Sequence, residues 1–547
     1  MRQSNRYLIA VVAALGLIPV VLDTTIVTVA LGPIRGELHT DVNSVQWIVT
    51  AFFLTTAAVV VIGGYLANRF GRKRMFVLGL AIFTLGSVLC GLSPSIGWLI
   101  AFRVLQGIGG GVLTTIGVTV AFDAFPKEER AKASAVVGVP ALLAPIFGPI
   151  LGGYLNDTFS WHAIFFVNLP VGIVAIVLAL LVLPRDVAGT GRGARFDFVG
   201  LALSMLGVIA IVYAFTLVTQ TNPATVTAAN PSGDLYGWGY WLVWALIGAG
   251  AALLLVFAFY SLRVSRDPAL DLRQFGRYDF LMSNIFSWAG ALITFGLLVL
   301  LPLYFELVRL PHLSALDTGL ALVPLGAGSL VGVVVASALY RLIGPRWVVF
   351  SGAALASLSA WQFARIVHPT AGAAQILASA ATHTPIPPVA GPDDLRWWMF
   401  ALGLGFMMIN ISVQTLALEA LTGDALAKAT SLVASTKLIF SSIGVAILTT
   451  ILTNRTQDRA TDLLAQMKVL VGAAGINPNN PQAAAALRTI EAQLATQAGT
   501  WAIQGIFWLI CFGTLGLIAL ALLLPGRRRK IAGAQPASQG EPVVAGV

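Results

Sequence analysis

The sequence predicts an all-α integral membrane protein with fourteen transmembrane helices, arranged as two six-helix bundles with two additional central helices. Three observations carry this prediction. Hydrophobic residues make up 57% of the 547 residues and charged residues only 10%, where a soluble domain carries about one quarter. The apolar residues gather in runs of about 20, the length that crosses a bilayer as a helix. The cations sit in short clusters between alternate runs, the mark of cytoplasmic loops. A net charge of +10 would suit a nucleic acid only if the cations shared one face, and here they are scattered, so no nucleic-acid partner is expected.

The runs begin near Tyr7, Val45, Met75, Trp98, Ala133 and Trp161, then Asp197 and Trp238, then Phe280, Leu316, Trp347, Trp397, Ala429 and Trp501. Residues 1–184 thus form the first bundle and residues 185–270 carry the two inserted helices with cytoplasmic linkers. Residues 271–547 form the second bundle, with outer loops at 367–395 and 455–500 and a short cytoplasmic tail. Most of the 33 Lys and Arg fall on the side of the N-terminus, which places both termini in the cytoplasm. The stretch after Arg2 and Arg6 is too long for a cleaved signal, and the two cysteines, Cys90 and Cys511, lie inside apolar runs rather than in a disulfide framework. Loop 367–395 is Pro- and Ala-rich and is expected to be irregular. Loop 455–500 holds two amphipathic patterns around INPNNP and reads as a helical hairpin that caps the protein, touches lipid or binds a partner.

An internal echo follows. ANRFGRKR (67–74) comes after the second run, and LYRLIGPR (339–346) after the tenth. Each places Arg, an apolar residue, Gly and a second cation in a tight turn. Repeated halves with a site between them are common in secondary transporters.

Six segments in order resemble a known family: LDTTIVTVALGPI (22–34), GYLANRFGRKR (64–74), RVLQGIGGG (103–111), APIFGPILGGYL (144–155), WHAIFFVNLPVG (161–172) and PLYFELVRLPHLSALDTGLALVP (302–324). They resemble the major facilitator superfamily, specifically its fourteen-span drug:proton antiporters, over nearly the whole chain. The resemblance implies the major facilitator fold in a bacterial inner membrane and export of hydrophobic, cationic compounds by alternating access. It implies no cofactor and no enzyme, only drive by the proton motive force. The implied partners are small substrates, protons, the bilayer and a periplasmic adaptor protein.

The residues give this reading its chemistry. Asp23 is an acid inside a membrane run, and such residues are costly and tend to be functional. An acid that water and substrate can reach in turn could exchange a proton for a cationic ligand, so Asp23 is the leading candidate for both proton coupling and substrate binding. The other reading is a structural acid bonded to Thr24, Thr25 or a neighbouring helix. Glu306 is the second coupling and binding candidate. The family pattern usually has Gln there, so the acid either widens the taste for cations or faces outer water. For Arg103 the resemblance implies proton coupling, and the alternative is a cation snorkelling to the outer interface.

Substrate-contact candidates are Trp47, Phe52, Asn284, Trp288, Tyr304, Asn410 and Gln414, because aromatic faces attract cations and a few amides orient an apolar ligand. Gating candidates from the resemblance are Gly64, Asn68, Arg69, Gly71, Arg72 and Lys73 in the turn, where Asn68 replaces the family's acid, with Gln106 and Gly107 in the fourth span. Gly148, Pro149, Gly152 and Gly153 are expected to seal the interface between halves. Lys437 in the thirteenth span, where related sequences more often have Arg, is a further gating candidate whose other reading is a charge partner within the bundle. The turn cations are expected to latch the two halves through Asp123, Glu128 or Glu129.

Rival classes are weaker. Export of a lipid or endogenous metabolite would use the same machinery. The chain has no GxxxxGK[ST] for ATP drive, and His312 with Asp317 gives only an acyltransferase-like HxxxxD in an outer loop. A non-transporting sensor is expected to lack the coupling acid.

Overall fold

In a bilayer every backbone amide needs a partner within the chain, and a helix supplies one locally. The computed structural model describes residues 3–40, 42–126, 129–184, 197–225, 235–265, 268, 270–309, 313, 315–382, 389–419, 421, 423–473 and 481–525. These are overwhelmingly helical, with a single isolated bridge, Thr221 to Leu235, and no strand among the described residues. The linker 185–196, Glu128, His312 and the tail 526–547 lie outside the described residues, as do the side chains of Pro149 and Glu306.

The first bundle consists of α1 (Gln3–Glu37), α2 (Val42–Phe70), α3 (Arg72–Gly91), α4 (Ile96–Ala124), α5 (Arg130–Thr158) and the broken pair α6 (Trp161–Phe166) and α7 (Asn168–Val182). Two further helices follow, α8 (Phe198–Val218) and α9 (Trp241–Phe259). The second bundle contains α10 (Tyr278–Leu303), the pair α11 (Ala315–Ala321) and α12 (Val323–Ile343), then α13 (Pro345–Ile366). After the short α14 (Ala373–Thr382) it continues with α15 (Pro392–Leu418), α16 (Gly423–Ala473) and α17 (Pro481–Ala521). Among the described residues, twelve helical stretches are long and apolar enough to cross a membrane. α5 and α10 occupy the places of the fifth and ninth expected spans and pack within the bundles, so the helices are compatible with fourteen crossings.

The packing of the first bundle recurs in the second. α1 packs on α5 as α10 packs on α16; α2 and α3 pack on α4 as α12 and α13 pack on α15; α3 meets α7 as α13 meets α17. Between bundles the contacts are reciprocal, α5 with α12 and α16 with α2. α8 rests on α2 and on α16, one helix from each bundle, and carries α9 on its outside. On α9, Leu255 and Phe259 are exposed, as expected of a face that lipid solvates.

The echoed turns share a backbone as well as a sequence. Gly71 (φ 97°) starts α3 and Gly344 (φ 85°) starts α13, both in the left-handed region that favours glycine. Each amide closes the preceding helix, Gly71 onto the Ala67 carbonyl at 3.0 Å and Gly344 onto Tyr340 at 3.2 Å.

Beyond the spans the expectation needs correcting. Loop 367–395 is not irregular throughout, because residues 373–382 form α14. Its apolar side buries Ile376 against Leu463 and Met467 of α16 and Ile490 and Leu494 of α17. The amphipathic segments of 455–500 are continuations of the last two membrane helices, which is why α16 has 51 residues and α17 has 41.

Candidate functional site

α4 places Arg103 and Gln106 three residues apart, on one face of the helix. That face meets Asp23 of α1. Arg103 Nη1 donates to Asp23 Oδ2 at 2.5 Å and to Gln106 Oε1 at 2.8 Å, and Gln106 Nε2 donates to Asp23 Oδ1 at 2.9 Å. Arg103 Nε donates to the Ile48 carbonyl at 2.9 Å, bringing α2 into the same network. The guanidinium lies 4.3 Å from the Phe52 ring centre and 5.9 Å from that of Phe165. All three polar side chains are buried, Asp23 and Arg103 at 1% exposure, so Arg103 does not snorkel. Charges so deep persist only when their remaining hydrogen-bonding capacity is used, as it is here.

Small residues make this possible. A side chain at Gly148 would overlap the Thr25 hydroxyl, and one at Gly152 would come within 3.0 Å of the Ile26 carbonyl. These glycines therefore seat α5 on α1 beside Asp23. They do not seal the interface between bundles, because their common face points into the first bundle, and Gly153 faces open space. Gly107 lets α4 lie against Phe52 and Thr55 of α2.

A cavity of about 280 Å³ lies between the bundles. α1 lines it with Leu17 and Val21, α4 with Thr114 and Val118, and α5 with Val137 and Gly138. The second bundle contributes Leu297, Ser329, Phe406, Met407, Asn410, Gln414, Thr430 and Lys437 among others. Asn410 and Gln414, two of the expected substrate contacts, thus line this cavity. Lys437 faces the cavity and donates to Asn410 Oδ1 at 3.2 Å, with no acid as partner among the described ion pairs.

Other candidates lie elsewhere. Asp23 is two residues beyond cavity-lining Val21 yet turned into the first bundle, so it does not line the cavity. Phe52 covers Arg103. Trp47 packs at a tilt against Tyr213 of α8 at 5.7 Å, Trp288 lies flat on Phe440 at 4.9 Å, buried Asn284 donates to the Phe280 carbonyl, and Tyr304 donates to the Ala390 carbonyl at 2.9 Å. Sequence reasoning did not single out Thr114, Ser329 and Thr430, which line the cavity while their hydroxyls donate to the Gly110, Leu325 and Leu426 carbonyls of their own helices. It also missed Cys90, whose thiol points at Gln106 Oε1 from 3.7 Å.

Two of the turn cations, Arg72 and Lys73, make contacts inside the first bundle. Arg72 pairs with Asp123 of α4, and Lys73 donates to the Leu180 and Leu183 carbonyls at 2.6 and 2.8 Å, capping α7. Glu129 is engaged by Lys132 at 3.2 Å and lies 4.0 Å from Arg6. Of the expected acids, Asp123 is thus paired within the first bundle, Glu128 lies outside the described residues, and other described contacts join the halves here. Arg130 at the start of α5 donates to the carbonyls of Leu418, Glu419 and Leu421 at the end of α15. Ser134 and Thr415 hydroxyls meet at 2.9 Å, and the Gly64 amide donates to Ser431 Oγ at 2.7 Å. A side chain at Gly64 would strike the Ala427 carbonyl, so α2 and α16 touch backbone to backbone there.

Comparison with known proteins agrees with this architecture. The model of the Major Facilitator Superfamily matches residues 13–287. A Mycobacterium tuberculosis protein named multidrug resistance protein B homolog is 32% identical over 433 residues, 79% of this chain and 73% of its own. The chain belongs to the major facilitator superfamily. Within that superfamily the Escherichia coli multidrug export protein EmrB is 28% identical over 491 residues, covering 89% of this chain and 86% of its own. The solved structure of the proton:xylose symporter XylE superposes with a TM-score of 0.55 at 13% identity, over 96% of this chain and 97% of its own, which supports the fold alone. The chain is a multi-pass membrane transporter and not an enzyme.

Proposed function

We propose that this transporter exports hydrophobic, drug-sized compounds in exchange for protons, by alternating exposure of the cavity between its two bundles. It sits in a bacterial inner membrane with both termini in the cytoplasm, the side that the basic turns mark. The relatives named for multidrug resistance and export support the substrate class. The observation that carries the coupling is the closed Asp23–Arg103–Gln106 network, built on the helix that lines the cavity through Leu17 and Val21.

The chemistry follows from the connections. Ionised Asp23 holds Arg103, and Arg103 ties α1 and α4 to the Ile48 carbonyl of α2. Protonation removes the charge that holds the guanidinium, so the grip among three helices weakens and the cavity wall on α1 is free to shift. Proton and substrate then act at neighbouring sites on one helix rather than competing for one carboxylate. A membrane potential of about 150 mV is worth roughly 3.5 kcal/mol per charge, enough for about 2.5 decades of substrate gradient.

Reconstituted protein tests this. Under an imposed pH gradient, hydrophobic fluorescent dyes are followed together with lumenal pH. Wild type should move dye against its gradient and release protons in step, and Asp23→Asn should uncouple the two. Dye movement that ignores the gradient, or coupling that survives Asp23→Asn, would reject the proposal.

A further inference from the structure

Among the described residues lining the cavity, Lys437 is the one ionisable side chain. Its ammonium can donate three hydrogen bonds, and among the described residues one is formed, to Asn410. The acids closest along the chain to the lining residues are engaged elsewhere. Asp23, two residues past Val21, is held by Arg103 and Gln106, and Glu419, next to Leu418, accepts from the Tyr340 hydroxyl at 2.7 Å. A cation with spare donors inside a membrane span is costly unless something answers it.

The polar lining is uneven. α15 and α16 present Asn410, Gln414, Thr430 and Lys437 among apolar side chains, Thr114, Thr294 and Ser329 come from other helices, and α1 and α5 present Leu17, Val21 and Val137. An organic cation would face a like charge here, with no acid among the described lining residues to offset it. An amphiphilic anion would place its charged oxygens on Lys437, its remaining acceptors on the two amides, and its apolar body on α1 and α5. We propose that Lys437, with Asn410 and Gln414, is an anion seat, and that the cavity takes compact organic carboxylates in preference to organic cations. This reverses the charge that the sequence suggests for the substrate. It rests on the transport reading above only for what is moved, not for what is bound.

Binding is measured on the full-length protein in detergent by fluorescence anisotropy, with pyrenebutyrate as the anionic probe and ethidium as the cationic one. Wild type should bind pyrenebutyrate more tightly. Lys437→Gln should lose roughly tenfold to a hundredfold for pyrenebutyrate, the worth of a charge-assisted hydrogen bond, without loss for ethidium. Lys437→Arg should keep the preference. In wild type alone, 2-naphthoate should displace bound pyrenebutyrate and the equally sized 2-naphthylmethylammonium should not. Preference for ethidium, displacement by the ammonium, or an equal loss of both probes in Lys437→Gln would overturn the seat. Carboxylate binding without gradient-driven transport in liposomes would leave the seat standing and reject the export reading instead.

Discussion

The first bundle closes its charges on one another, and the second leaves one at the cavity wall. Asp23, Arg103 and Gln106 are fully enclosed, each with a polar partner from the same cluster. Among the described residues Lys437 has one acceptor, the Asn410 amide, and it lines the cavity. Since the two bundles repeat the same helix pairings, the difference arises from side chains on a shared frame rather than from the frame. A closed network suits a switch that should change state only when a proton arrives. An unanswered charge suits a site that meets changing ligands.

The comparison can be broken most forcefully from its closed side. Arg103→Ala strands a buried carboxylate, and removing one member of such a pair costs about 3–5 kcal/mol. The largest drop in melting temperature of any variant named here is expected there, with transport lost. Adding Asp23→Asn should recover part of it, and a double variant no better than the single would refute the closed-network account. Gly64→Ala probes the contact between bundles. Its methyl group would be driven into the Ala427 carbonyl, and overpacking of this kind costs about 1–3 kcal/mol. Transport should fall more than the binding of a cavity ligand, and an unchanged transport rate would show that this contact does not take part in the cycle. The mildest change tests the repeat. Gly71→Ala and Gly344→Ala each force a left-handed conformation on a residue with a side chain, at about 1–2 kcal/mol. Similar melting shifts would confirm equivalent turns, whereas a large difference would show that the echo in sequence has parted in role.

Much of the frame was legible because lipid forces it. Apolar runs of sufficient length can hardly be anything but spanning helices, and the glycine of each basic turn announces its positive φ. The cluster was partly legible too. An acid in the first span, with an Arg and a Gln three residues apart in the fourth, already put two polar groups on one face. What could not be read was direction. Nothing in the order of residues says that Asp23 turns inward while Val21 turns to the cavity, or that Gly148 and Gly152 serve α1 rather than the opposite bundle. Those outcomes depend on helix rotation, which is set by packing across hundreds of residues. For the same reason Trp47 and Trp288 looked available to a ligand, though Trp47 packs at a tilt against Tyr213 and Trp288 is stacked on Phe440.

The unbroken length of α16 has a consequence outside the membrane. Its 51 residues span about 77 Å, while the hydrocarbon layer is about 30 Å thick. It begins beside the α2 contact, carries Lys437 past the cavity and ends in the cluster with α14 and α17. From Lys437 to its tip is about 54 Å, so a swing of about 10° near the cavity displaces that tip by roughly 9 Å. The helix is a pointer: a small tilt set beside the cavity would be written large at its far tip.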